Sequence, residues 1–285
     1  MTKISVEDTH FHLKNTIQTG NKLVSLSKPK VMGIINCTPD SFYSGSRFSL
    51  PDTILSHSQK LINEGASILD IGGYSTRPGA DPVSKEEEAD RVVQAISLIR
   101  SHFPEIILSA DTFRSDVAEA ALKAGADLIN DISGGTIDPE IIEVAATLKV
   151  PYILMHFHGS LETMHTVPAY PSFFNDVVRY FSEKINFLHK KGVYDVIIDP
   201  GFGFSKSMEQ NFELLDKLQD LQLLGQPILA GLSRKRMIWS TLNSTPEEAL
   251  NGTTVLNTIA VLKGAKILRV HDVKEAKEII DLVYS

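Results

Sequence analysis

The chain has 285 residues, 42% of them hydrophobic and 22% charged, with a formal net charge of −7 and a single cysteine. The acidic balance argues against nucleic acid, whose partners carry a basic face, and one thiol excludes an internal disulfide or a multi-thiolate metal site. No stretch approaches the ~18 uninterrupted apolar residues of a membrane span, and the opening MTKISVEDTHFHLKN lacks the apolar centre of a secretory signal, so a soluble, cytoplasmic protein without a membrane partner is expected.

Residues 1–29 read as an N-terminal extension, with Lys22 to Ser25 as a short strand behind the Thr19-Gly20-Asn21 turn, placed to plug the bottom of the domain that follows. From residue 30 to 285 one unit repeats. The apolar run Val31 to Ile35 ends on Asn36, and a helix from about Asp52 to Glu64 closes on Gly65-Ala66. Ser67 to Ile71 carries Asp70 and opens into Gly72-Gly73, and Ser84 followed by Glu86, Glu87 and Glu88 predicts a capped helix reaching Ser101. Later runs end on Asp111, on Asn130 and Asp131, on His156, on Asp199, on Ser233 and on His271, with Gly turns at Gly125-Ala126, Gly192-Val193 and Gly264-Ala265. Helices from about Glu247 to Leu262 and from Val273 to Val283 complete the chain. Strand, polar tip, amphipathic helix and Gly-closed turn, eight times over, predict an α/β protein built as a single closed (β/α)8 barrel, whose strand tips share one functional face.

Several tips carry chemistry. Val196 to Asp199 empties into Pro200-Gly201-Phe202-Gly203-Phe204. A carboxylate at such a point is costly to desolvate unless the protein or a ligand donates to it. A cap or ion pair would explain one such Asp; the recurrence of polar tips on one face points to a site. Asn36 offers a neutral carbonyl oxygen suited to hydrogen bonding or to Mg2+ held mostly by phosphate and water. Gly72-Gly73 permits close backbone approach, and Arg77 beside Pro78 is a cation on a stiffened loop. Arg269 and His271, two residues apart on a strand, are expected on one face.

Met32-Gly33-Ile34-Ile35-Asn36, Thr38-Pro39-Asp40-Ser41-Phe42 and Ser75-Thr76-Arg77-Pro78-Gly79 resemble the signature loops of the dihydropteroate synthase family. The resemblance continues through Asp111-Thr112, Asn130-Asp131-Ile132, Leu154-Met155-His156, the Asp199 to Phe204 segment, Ser233-Arg234-Lys235 and Arg269-Val270-His271-Asp272, and so spans nearly everything from Leu26 onward. It implies a TIM-barrel enzyme of folate biosynthesis that joins 4-aminobenzoate to 6-hydroxymethyl-7,8-dihydropterin diphosphate through an SN1-like departure of diphosphate, with no need of a side-chain nucleophile. On that resemblance Asp111, Asn130, Met155, Asp199 and Lys235 hold the pterin; Thr76, Arg77, Pro78, Phe204 and Ser233 hold 4-aminobenzoate, where sulfonamides compete. Asn36, Arg77, Arg269 and His271 take the diphosphate, with Asn36 on Mg2+. Lys235, Asp199, Arg269 and His271 are the catalytic set, and a homodimer is expected from the relatives.

The chain departs from the family pattern at Ser44-Gly45-Ser46, where an acidic residue is usual, at Tyr74 and at His158. Three rival readings follow from the same residues: a pterin-dependent methyltransferase working with a corrinoid partner, a non-catalytic pterin binder, and an aldolase-type barrel using Lys235 as a Schiff-base nucleophile.

Overall fold

The computed structural model describes residues 13–20, 22–37, 50–75 and 82–285. Eight parallel strands close into a barrel: β3 (Lys30–Asn36), β4 (Ile68–Gly72), β5 (Ile107–Asp111), β6 (Leu128–Asp131), β7 (Tyr152–Met155), β8 (Val196–Asp199), β9 (Ile228–Ala230) and β10 (Ala265–Val270), with β10 returning to β3. Around it lie α1 (Leu50–Asn63), α2 (Lys85–His102), α3 (Ser115–Lys123), α4 (Glu140–Leu148), α5 (Phe173–Lys190), α6 (Met208–Asp216), α7 (Arg236–Trp239), α8 (Leu250–Leu262) and α9 (Val273–Val283). The strands are buried on both faces, which is why they read as continuous apolar runs. The start of α2 is capped as its sequence predicts, Ser84 accepting from the backbone N–H of Glu87 at 3.1 Å.

Ahead of the barrel, β1 (Thr16–Thr19) and β2 (Lys22–Ser25) form an antiparallel hairpin. Ile17 and the following Leu26 pack with Met32, Ile68, Leu128, Ile153, Ile197, Leu229 and Ile267, an apolar layer formed inside the barrel by residues at or near the strand starts. Side chains two apart along a strand share a face, so the next inward position after five of these apolar residues is fixed: Asp70 after Ile68, Asn130 after Leu128, Met155 after Ile153, Asp199 after Ile197 and Arg269 after Ile267. An oily floor therefore supports a polar storey. That step from one layer to the next is what brings residues distant in sequence to one place.

Candidate active site

Arg269 stands at the centre of the polar storey. Its Nε donates to Asp70 Oδ2 at 2.6 Å, and its terminal nitrogen donates to Asp111 Oδ2. Asn130 Nδ2 donates to the same Asp70 oxygen at 3.0 Å. Asp70 is completely buried, whereas the Asp111 side chain keeps 21% of its surface open. Asp70 thus orients Arg269 and Asn130 from beneath, and Asp111 offers an edge to whatever enters. Burial, and next the charge of Asp70, push the Asp111 carboxyl up to about 7, against the pull of Arg269.

Asp199 closes the opposite wall. Its Oδ1 accepts from the N–H of Gly201 at 2.8 Å, and burial raises its pKa while that N–H and the Lys235 charge oppose the rise. Lys235 follows β9, donates to the carbonyl of Phe202 and holds its Nζ 4.2 Å from the centre of the Phe204 ring. Burial lowers it to about 8, with Asp199 pulling the other way. The turn between Asp199 and Phe204 needs glycine at Gly201: φ is +69°, and a Cβ there would lie 2.1 Å from the carbonyl oxygen of His156.

Beside these charges lies an apolar wall of Phe113, Ile132, Met155, Phe157 and Met164, with Tyr74 and Phe204 packed against it. The site is therefore two-sided: carboxylates, an amide and cations on one part, thioether and aromatic groups on another, the pattern of a pocket for a flat polar heterocycle.

The structure brings Asp111, Asn130, Met155, Asp199, Phe204, Lys235 and Arg269 together at the mouth. Arg269 sits deeper than a rim position, bound by two carboxylates rather than facing outward. The argument from alternation does not extend to His271, because β10 ends at Val270; His271 is an exposed residue of the following turn, its backbone N–H donating to Ser233 Oγ at 3.2 Å. Arg234 is structural. Its guanidinium makes a two-pronged bond to Asp272 at 2.9 and 2.8 Å and donates to the carbonyls of Pro246 and Glu247. Asn36 ends β3, half-buried, opposite Gly72. Thr76, Arg77 and Pro78, and the Thr38 to Phe42 and Ser44 to Ser46 stretches, lie outside the described residues.

Two members escaped the sequence reading. Asp70 is recognisable as a strand tip, yet its role shows only once Arg269 is seen to reach it. Lys206, 7% exposed, donates from Nζ to His156 Nδ1 at 3.0 Å and to the carbonyls of His156, Gly201 and Phe204 at 3.2, 3.0 and 3.0 Å. Its place in the Gly-Phe-Gly-Phe-Ser-Lys run was the available signal. Among the described residues no cluster of three or more His, Cys, Asp or Glu is placed to hold a metal ion. The neutral amide of Asn36 fits a cation that is carried mainly by phosphate oxygens and water.

Residues 32–271 match the family model described as "Pterin binding enzyme". A dihydropteroate synthase of Synechocystis is 44% identical over 252 residues, covering 87% of each chain. The Xanthomonas albilineans dihydropteroate synthase solved with 4-aminobenzoic acid superposes with a TM-score of 0.88 at 38% identity, over 95% of this chain and 97% of that one. The same enzyme in complex with 7,8-dihydropteroate gives 0.85 at 36% identity, over 94% and 97%. Sequence, fold and the polar storey at the barrel mouth agree: the chain belongs to the pterin binding enzymes, and within them to the dihydropteroate synthases.

Proposed function

We propose that this protein condenses 6-hydroxymethyl-7,8-dihydropterin diphosphate with 4-aminobenzoate, giving 7,8-dihydropteroate and diphosphate in folate biosynthesis. The observation that carries the reading is the convergence of Asp111, Asn130, Asp199 and Lys235 beside Met155 and Phe204. A pterin edge presents amino and ring N–H donors next to a carbonyl. The carboxylates of Asp111 and Asp199 and the Asn130 amide accept those donors, and the Lys235 ammonium faces the carbonyl. An analogue without the donors leaves buried carboxylates unpaired, which makes the pocket selective.

In the reaction the bond between the exocyclic CH2 and the diphosphate oxygen breaks heterolytically, its electron pair leaving with the diphosphate. The cation left behind is spread over the electron-rich dihydropterin ring. The amine of 4-aminobenzoate then attacks the CH2, forming the C–N bond and losing a proton. Positive groups stabilise the departing anion: the exposed His271, Arg269 from its deeper seat and Arg77 take this role, with Asn36 helping to hold Mg2+, which supplies further charge neutralisation when bound. Ser233, Phe204, Thr76, Arg77 and Pro78 position 4-aminobenzoate, and sulfonamides compete for that place because they pair an aryl amine with a polar para group.

Homodimer formation is part of the reading, supported by Val255 and Leu262 of α8, which are 50% and 68% exposed. We place the enzyme in the cytoplasm, in keeping with a single, buried cysteine, Cys37, which leaves no internal disulfide to form.

The test is to incubate the protein with pterin diphosphate and Mg2+, with and without 4-aminobenzoate, and to follow diphosphate and dihydropteroate. Equimolar formation of both products, inhibited competitively by a sulfonamide against 4-aminobenzoate, is expected. Pterin binding without diphosphate release would instead establish the non-catalytic binder, and methyl transfer with a corrinoid partner the methyltransferase.

A further inference from the structure

The residue that the proposed chemistry leaves unexplained is Lys206. Burying an ammonium is costly, and every hydrogen-bond acceptor around this one is neutral: the ring nitrogen of His156 and the carbonyls of His156, Gly201 and Phe204. An apolar side chain would avoid that cost but leave the inward-turned carbonyls without this donor.

Two of those carbonyls, of Gly201 and Phe204, belong to a loop with work on its other side. Phe202 presents the carbonyl that Lys235 uses, and Phe204 the ring over which the Lys235 ammonium stands. Gly203 lies so close that a Cβ there would meet Lys235 Cδ at 2.9 Å. The loop is also laced to the segment after β7: Ser205 Oγ donates to His158 O at 2.8 Å, Ser205 N to Met164 O at 2.8 Å, and Tyr170 Oη to Ser205 O at 3.1 Å. One lysine therefore grips the loop from within, and the other meets it from the substrate side.

We propose that Lys206 is a positioning residue for the condensation, gathering the carbonyls of His156, Gly201 and Phe204 so that the 200–205 loop presents the Phe202 carbonyl and the Phe204 ring to Lys235. This rests on the synthase reading given above and adds to it a residue that touches no substrate. The charged or titratable groups facing Lys206 are His156 from the segment just after β7, Asp199 from β8 and Lys235 from the loop after β9. Burial lowers Lys206 to about 7, with Asp199 opposing and Lys235 adding to the shift.

The test is Lys206→Met in the full chain, compared with wild type for turnover, KM of each substrate and pterin affinity by calorimetry. Because misplacing a reacting group by an ångström costs on the order of a hundredfold, kcat should fall by about 30-fold. The KM for 4-aminobenzoate should rise, and pterin affinity should fall by less than kcat does, because Asp111, Asn130 and Asp199 keep their places. Wild-type kcat would overturn the proposal, and so would an equal loss of pterin binding and turnover. If Lys206→Met does not melt cooperatively, Lys206→Gln, which keeps two N–H donors, is judged by the same split; failure of both to fold would make Lys206 a folding element and overturn the proposal. A wild-type protein that releases no diphosphate would refute the synthase reading instead.

Discussion

Asp70 and Asp111 show how two like side chains acquire different roles from their surroundings. Both bind Arg269, but Asp70 has no exposed surface, and its second oxygen has no partner among the described residues. Asp111 keeps an open edge and so can meet a ligand. Lys235 is the complementary case, a cation held at some cost in a partly enclosed site. Because its removal relieves desolvation as well as a hydrogen bond, Lys235→Ala should lose turnover by about 100-fold or more while its melting transition stays cooperative and close to wild type. Kinetics beside a thermal melt decides it; retained turnover would remove Lys235 from the catalytic set.

At the scale of elements, the site is a product of strand register. Counting two residues along each strand from Ile68, Leu128, Ile197 and Ile267 leads to Asp70, Asn130, Asp199 and Arg269. The polar tips themselves were legible, because an apolar run ending on a carboxylate or amide needs no structure to be noticed. The depth of Arg269 was not, because it depends on where β10 begins and ends, and the turn after Val270 breaks the alternation on which its pairing with His271 rested. The Asp199 to Phe204 turn depends on backbone rather than side chain. Gly201→Ala forces a Cβ against His156 O at a left-handed φ, so it should cost about 1–3 kcal/mol from backbone strain alone and displace the loop that meets Lys235. A denaturation midpoint equal to wild type would show that the turn has freedom the geometry denies.

Across the whole molecule, the mouth gathers Asp70, Asp111 and Asp199 with Lys206, Lys235 and Arg269, so its charges nearly balance within an acidic protein. This local balance is invisible in the net charge, which argues against a nucleic-acid surface but says nothing of an anion site. It also sets a pH dependence. The Asp111 carboxyl is raised from 3.8 to about 7, so the ligand-free fold holds its proton more tightly than the unfolded chain does. The stability from that proton is fully present below about 4 and is lost as pH rises through about 7. A pterin donating N–H groups selects the ionised carboxylate. Pterin binding at pH 6 should therefore release protons, and the release should fade by pH 8, as calorimetry in buffers of different ionisation enthalpy would show; no release at pH 6 would mean that Asp111 is already ionised or does not meet the ligand.

The central claim is that the polar storey above the barrel's apolar floor is a pterin pocket. The most direct measurement is a calorimetric titration of the dihydropterin diphosphate into wild type and Asp199→Asn, with folding of both checked by circular dichroism. Wild type should bind saturably at one site, and the variant should lose about 100-fold or more in affinity, since a charge-accepted donor pair is replaced by a mismatched amide. Equal affinity in the two proteins would contradict it.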